Sequence, residues 1–198
     1  MTGRRRAAAA VLIVCAALNG CASLRPGSDA MTYAERRDHL AMLDAWDLSG
    51  RIAVRSGERA FQGRFRWSQR PDDLELVLRS PIGTNVMRVS GPADQLILET
   101  RGERHSLEDP EAQLSALVGW WLPVTSFRSW LLGIPDPAYG ARERLGADGT
   151  LESLEQRLWR IDIADYQLAE GVLVPRRLDL SYGTLDLRVV VDRFELAP

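Results

Sequence analysis

Apolar residues recur at every second position through most of the chain. In "WDLSGRIAVRS", Trp46, Leu48, Ile52 and Val54 alternate with polar neighbours, and Gly50 permits a bend or bulge. "AFQGRFRWSQ" alternates more cleanly, with Phe61, Gly63, Phe65 and Trp67 on one face and Gln62, Arg64 and Arg66 on the other. "SGER" between them reads as a hairpin turn. "DLELVLR" aligns Leu74, Leu76 and Leu78, and "NVMRVSG" and "QLILETR" continue the meander around the turn "GPAD". "GERHSLE" is a further short, polar strand. The two-residue period returns in "LESLEQRLWRIDIADYQ", "GVLVPRRLDLSYG" and "TLDLRVVVDRFEL", with Tyr182-Gly183 placed for a tight hairpin.

Two segments follow a helical period instead. Thr32 and Glu35 have capping-box spacing ahead of Leu40, Ala41 and Leu43, which predicts a short helix through about Asp44. Between 109 and 133, Asp109 is an N-cap and Pro110 suits the first helical position. Leu114, Leu117 and Val118 form a stripe, and a second helix starts at Pro123, shares a face among Phe127, Trp130 and Leu131, and stops at Gly133. "IPDPAYGARERLGADG" is expected to be loop. Short strands joined by tight turns predict an antiparallel sheet. Ten or so strands are too many for one flat sheet, so it curls. The expectation is an incomplete, half-open antiparallel β-barrel with a helical lid over an apolar cavity. A sandwich with a packed core is the competing architecture.

The N-terminus changes the picture of where this domain works. Arg4, Arg5 and Arg6 precede an apolar stretch from Ala7 to Leu18, too short to span a bilayer, and then "LNGC". Gly20 before Cys21 resembles a bacterial lipobox, although Asn19 is an unusual occupant. An ordinary cleaved signal is the other reading. The expected organisation is a lipoprotein signal peptide over 1–20, a flexible tether over 21–30 beginning at lipidated Cys21, and one domain over 31–198. Cys15 leaves with the signal, so no internal disulfide is available. Every basic residue other than the two histidines is arginine, and the net charge is −2 before three arginines leave with the signal. That balance argues against nucleic-acid binding.

Catalytic chemistry finds little support. His39 and His105 have no cysteine or second histidine at ligand spacing, and there is no GxSxG and no phosphate loop. No enzyme activity, metal or cofactor is expected. One residue is out of place. In "RSPIGTNV", Ser80, Pro81, Gly83 and Thr84 suit a turn, but Ile82 puts a bulky β-branched side chain at its tip. Single exposed apolar residues are common, so the pattern alone leaves Ile82 either incidental or functional.

"GRIAV", "FRW" and "SPIG" occur in order on the early strands, and "LPVTSFRSWLLGIP" spans the helical section. Together with "LWRIDIADY" and "LVPRRLDLSYG" they resemble the outer-membrane lipoprotein receptor family, LolB, over essentially the whole mature chain. The resemblance implies an incomplete barrel of eleven strands under helices. It implies a lipid-anchored, periplasm-facing outer-membrane protein, monomeric, that takes lipoproteins by their acyl chains from the periplasmic carrier LolA. It would insert them into the inner leaflet of the outer membrane. Three acyl chains of about 15 carbons represent roughly 35 kcal/mol of apolar transfer, so cargo must pass between apolar cavities. Acyl-chain positions would be Ile52, Val54, Phe61, Phe65, Trp67, Leu76, Leu78, Leu96 and Leu98 on strands, and Leu117, Trp121, Trp130 and Leu131 on the lid. For each, plain core packing is the alternative. Pro81, Ile82 and Gly83 would form a membrane-insertion loop. A lipid-anchored structural or interaction protein of the cell envelope with no lipid ligand is the competing function, and an anchored hydrolase is a weaker third.

Overall fold

The computed structural model describes residues 31–118 and 121–197, apart from the side chains at 117 and 118. The signal, Cys21, the tether and the Leu117 side chain lie outside the described residues. Eleven strands form one antiparallel sheet: β1 (Trp46–Ser56), β2 (Arg59–Gln69), β3 (Leu74–Arg79), β4 (Asn85–Gly91), β5 (Leu96–Glu99), β6 (Arg104–Leu107), β7 (Ala141–Leu145), β8 (Leu151–Gln156), β9 (Trp159–Ala169), β10 (Val172–Tyr182) and β11 (Leu185–Leu196). Consecutive strands pair within β1–β6 and within β7–β11, β1 pairs with β11, and β6 and β7 are left as the two edges. The sheet is therefore open, not closed.

Helix α1 (Tyr33–Ala41) precedes the sheet, and α2 (Pro110–Val118) and α3 (Val124–Leu131) lie between β6 and β7. The helical pair thus leaves from one free edge and returns to the other. Local rules explain its boundaries. The Asp109 carboxylate accepts from the Ala112 N–H at 3.1 Å, and Gly133 follows α3 with φ +75°. For α1 the Thr32–Glu35 capping box forms, but the helix ends at Ala41, short of Asp44. Arg36 joins Leu40 on its buried side, with its guanidinium over the Tyr33 and Tyr166 rings.

The alternation of β1 and β2 is observed as drawn, interrupted by a register shift at Ser49/Gly50. Gly50 is required there: a Cβ would sit 2.0 Å from the Val190 carbonyl oxygen. Two readings of the chain need correction. "ARERL" is not loop but edge strand β7, fully exposed and paired only to β8, so no buried face marks it. "LESLEQRLWRIDIADYQ" is not one strand but β8 and β9, folded back at Arg157-Leu158. Neither residue is a turn former, yet both have positive φ, +52° and +65°.

Register places the connections. Ser56 faces Arg59 and Leu185, Leu185 faces Tyr182, and Ser181 faces Arg160. The β1–β2, β10–β11 and β8–β9 turns therefore share one end of the sheet. Arg79 at the end of β3 faces Arg64 on β2, so the β3–β4 loop points to that same end.

Candidate functional site: an apolar cavity and its rim

A cavity of about 240 Å³ opens under the helices. Ile52, Val54, Phe61, Phe65, Trp67, Leu76 and Leu78 line it from β1, β2 and β3, and Leu131 lines it from α3. These are alternate residues on one face of consecutive strands, brought together by direct pairing: Val54 faces Phe61, Phe65 faces Leu78, and Trp67 faces Leu76. Val86 and Met87 of β4, Leu187 and Val189 of β11, and Leu122, Val124 and Phe127 of the helical segment complete the wall. The sequence reading missed this second group. The β11 pair was visible as alternation, but its pairing with β1 is a long-range contact that no local pattern encodes.

The remaining strand and lid positions go elsewhere. Leu96 and Leu98 are buried on β5, with Leu96 facing Leu107 of β6, and neither lines the cavity. Trp130 is completely buried, and its indole N–H donates to Gln156 Oε1 at 2.8 Å. Trp121 lies against Tyr182 and under the Arg157 guanidinium, 4.7 Å from its ring centre. Large aromatics suit packing and ligand contact equally by composition, and here their polar handles or ring partners draw these two out of the cavity wall.

Polar contacts hold the helical lid to the sheet. Arg157 donates to both Glu111 carboxylate oxygens, at 2.9 and 2.6 Å, and to Ser126 Oγ at 3.0 Å. It therefore ties α2, α3 and the β8–β9 turn together. The hydrogen bond to Glu111 raises the already high Arg157 pKa against the effect of burial, so the cation is permanent. Tyr139 stacks on the same guanidinium at 4.1 Å. Behind it, Gln156 Oε1 accepts from the Trp130 indole and the Asp136 N–H, while its Nε2 donates to the carbonyls of Asp136 and Tyr139. This buried amide uses both ends fully.

At the rim, the β3–β4 loop is tightly bonded. Gly83 N–H donates to the Ser80 carbonyl at 2.9 Å, and Ser80 N–H donates to the Thr84 carbonyl at 2.8 Å. Pro81 fixes its own φ, and Gly83 takes φ +89°, which a side chain would strain. Ile82 at the tip is 90% exposed. The loop holds this side chain out in water, away from the core.

The sequence profile of the family described as "Outer membrane lipoprotein LolB" matches residues 44–194. The chain belongs to the LolB family. An outer-membrane lipoprotein LolB of Pseudomonas aeruginosa is 34% identical over 93% of this chain and 90% of its own length. The LolB of Nitrosococcus oceani is 34% identical over 90% and 92%, and that of Stutzerimonas stutzeri 33% over 92% and 89%. In fold, the chain is similar to the crystal structure of a LolA-superfamily protein from Nitrosomonas europaea, with a TM-score of 0.54 at 7% identity over 85% of this chain and 95% of that one. The family match covers the cavity strands, both lid helices and the Ile82 loop of this LolB-family chain.

Proposed function

We propose that this LolB-family protein receives lipoproteins from the periplasmic carrier LolA, shelters their acyl chains in the cavity, and inserts them into the inner leaflet of the outer membrane. A lipid on Cys21 anchors the protein there, facing the periplasm, and it acts as a monomer without catalysis. The observation that carries this reading is a cavity walled only by apolar side chains, beside a rigid turn that presents Ile82 to solvent. A scaffold protein without a lipid ligand has no use for either.

The Arg157–Glu111 pair holds α2 to the β8–β9 turn, so a shift of the lid during loading would loosen it. Ile82 acts at the other step. Shallow burial of one isoleucine in the headgroup region stabilises by about 1–2 kcal/mol, enough to aim the cavity at the membrane but not to anchor the protein.

A transfer assay with loaded carrier and phospholipid vesicles tests the proposal. Ile82→Glu should accept cargo normally and release it into vesicles poorly, with fold stability within about 0.5 kcal/mol of the parent. Failure of the parent protein to take lipoprotein from the carrier would reject the acceptor role. Loss of uptake in Ile82→Glu would instead place Ile82 on the carrier-docking face.

A further inference from the structure

The two most exposed large apolar side chains among the described residues are Ile82, at 90%, and Leu158, at 85%. Both sit at hairpin tips, and the strand register puts both tips at the same end of the sheet. They stand on opposite halves of it: β3–β4 on one side of β1, and β8–β9 beyond β11 and β10 on the other. The cavity draws Val54, Leu78, Val86 and Leu187 from strand segments near this end.

Leu158 is an improbable residue for its site. A two-residue turn with positive φ at both positions favours Asn-Gly, and a leucine at φ +65° is strained. Arg157 explains its own presence, because its side chain is spent on Glu111, Ser126, Trp121 and Tyr139. Among the described residues, nothing explains the next one. With Arg157 turned in to the lid, the hairpin aims Leu158 outward into solvent.

We propose that Leu158 is a second membrane-contact residue, which with Ile82 seats the cavity rim on the phospholipid surface at two points. The inference rests on the reading that Ile82 meets the bilayer. One apolar tip leaves the protein free to tilt about it. Two tips on opposite halves of the sheet restrict that tilt and hold the rim between them against the headgroups.

The test uses the full lipidated chain in phosphatidylethanolamine–phosphatidylglycerol vesicles. Ile82→Cys, Leu158→Cys and Glu170→Cys are each labelled with the polarity-sensitive fluorophore NBD, and the unsubstituted chain reports any background at Cys21. Glu170 lies in the β9–β10 turn, at the opposite end. The expected result is a blue-shifted emission, quenched by lipid-borne quenchers, at 82 and 158 but not at 170. A dry label at 82 with a wet label at 158 overturns this inference alone. Wet labels at both positions overturn it together with the membrane reading of Ile82. A shift at 158 only on adding the carrier, without vesicles, assigns Leu158 to a protein contact and overturns the proposal. A second variant separates function from folding. Leu158→Gly suits the backbone, so its melting temperature should equal or exceed the parent's, while cargo release into vesicles slows about tenfold. Unchanged release by this variant contradicts the proposal.

Discussion

The two halves of the sheet carry the same alternating apolar pattern and end in different states. On the β8–β10 half the inner face is filled. Trp159 meets Phe127 edge-on at 5.5 Å, Trp130 at 5.9 Å and Tyr182 in a stack at 5.5 Å, and Ile161 is fully buried. On the β1–β4 half the inner face is not filled. Ile52, Val54, Phe61, Leu76 and Leu78 remain only partly buried and look into the cavity. The difference lies in where the lid aromatics go. α3 commits Trp130 to the far half, while its Val124, Phe127 and Leu131 roof the near one, Phe127 touching both. A hydrophobic face thus becomes a cavity where the covering helix stops short of it.

Truncation in the filled half should cost most. Trp130→Ala empties a fully buried site and strips Gln156 of a donor, so a loss of about 3–5 kcal/mol is expected in a urea unfolding titration. Phe61→Ala, facing space that is already empty, should lose only ~1 kcal/mol in the same titration. Equal losses would mean that the cavity half is packed in solution.

The junction of the halves is next. Glu111→Ala leaves the Arg157 guanidinium, whose side chain is 12% exposed, without its carboxylate. A loss of about 2 kcal/mol should follow. Hydrogen exchange should accelerate in α2 while β1 and β2 keep their protection. Uniform acceleration would make the pair a global support and not a lid contact.

Most of the strands were legible because one face of each is wet and the other dry, so the two-residue period survives in the sequence. β7 was not: Ala141–Leu145 is exposed on both faces and shows no period. The β8–β9 turn was hidden for a different reason. Its backbone is held by what Arg157 touches in α2 and α3, 46 and 31 residues away in the chain, not by its own turn propensity. The cavity was half legible. Strand alternation names residues that face inward, but only the lid's placement separates Phe61 and Leu78, which see empty space, from Leu96 and Trp130, which see neighbours. Ile82 was the easiest to pick out, because a turn built from Pro81 and Gly83 offers no interior for it.

If the empty half is kept empty for acyl chains, filling it must cost lipid affinity and not stability. Leu78→Trp places an indole in the cavity, and binding of a fluorescent diacyl lipid to the full chain can be followed by titration, with triacylated lipoprotein as competitor. The parent should bind the probe saturably and release it to the competitor. Leu78→Trp should bind it about tenfold or more weakly while unfolding at the same or a higher urea midpoint. Equal probe affinity in the two proteins, with the fold intact, would mean that the empty half does not hold the acyl chains.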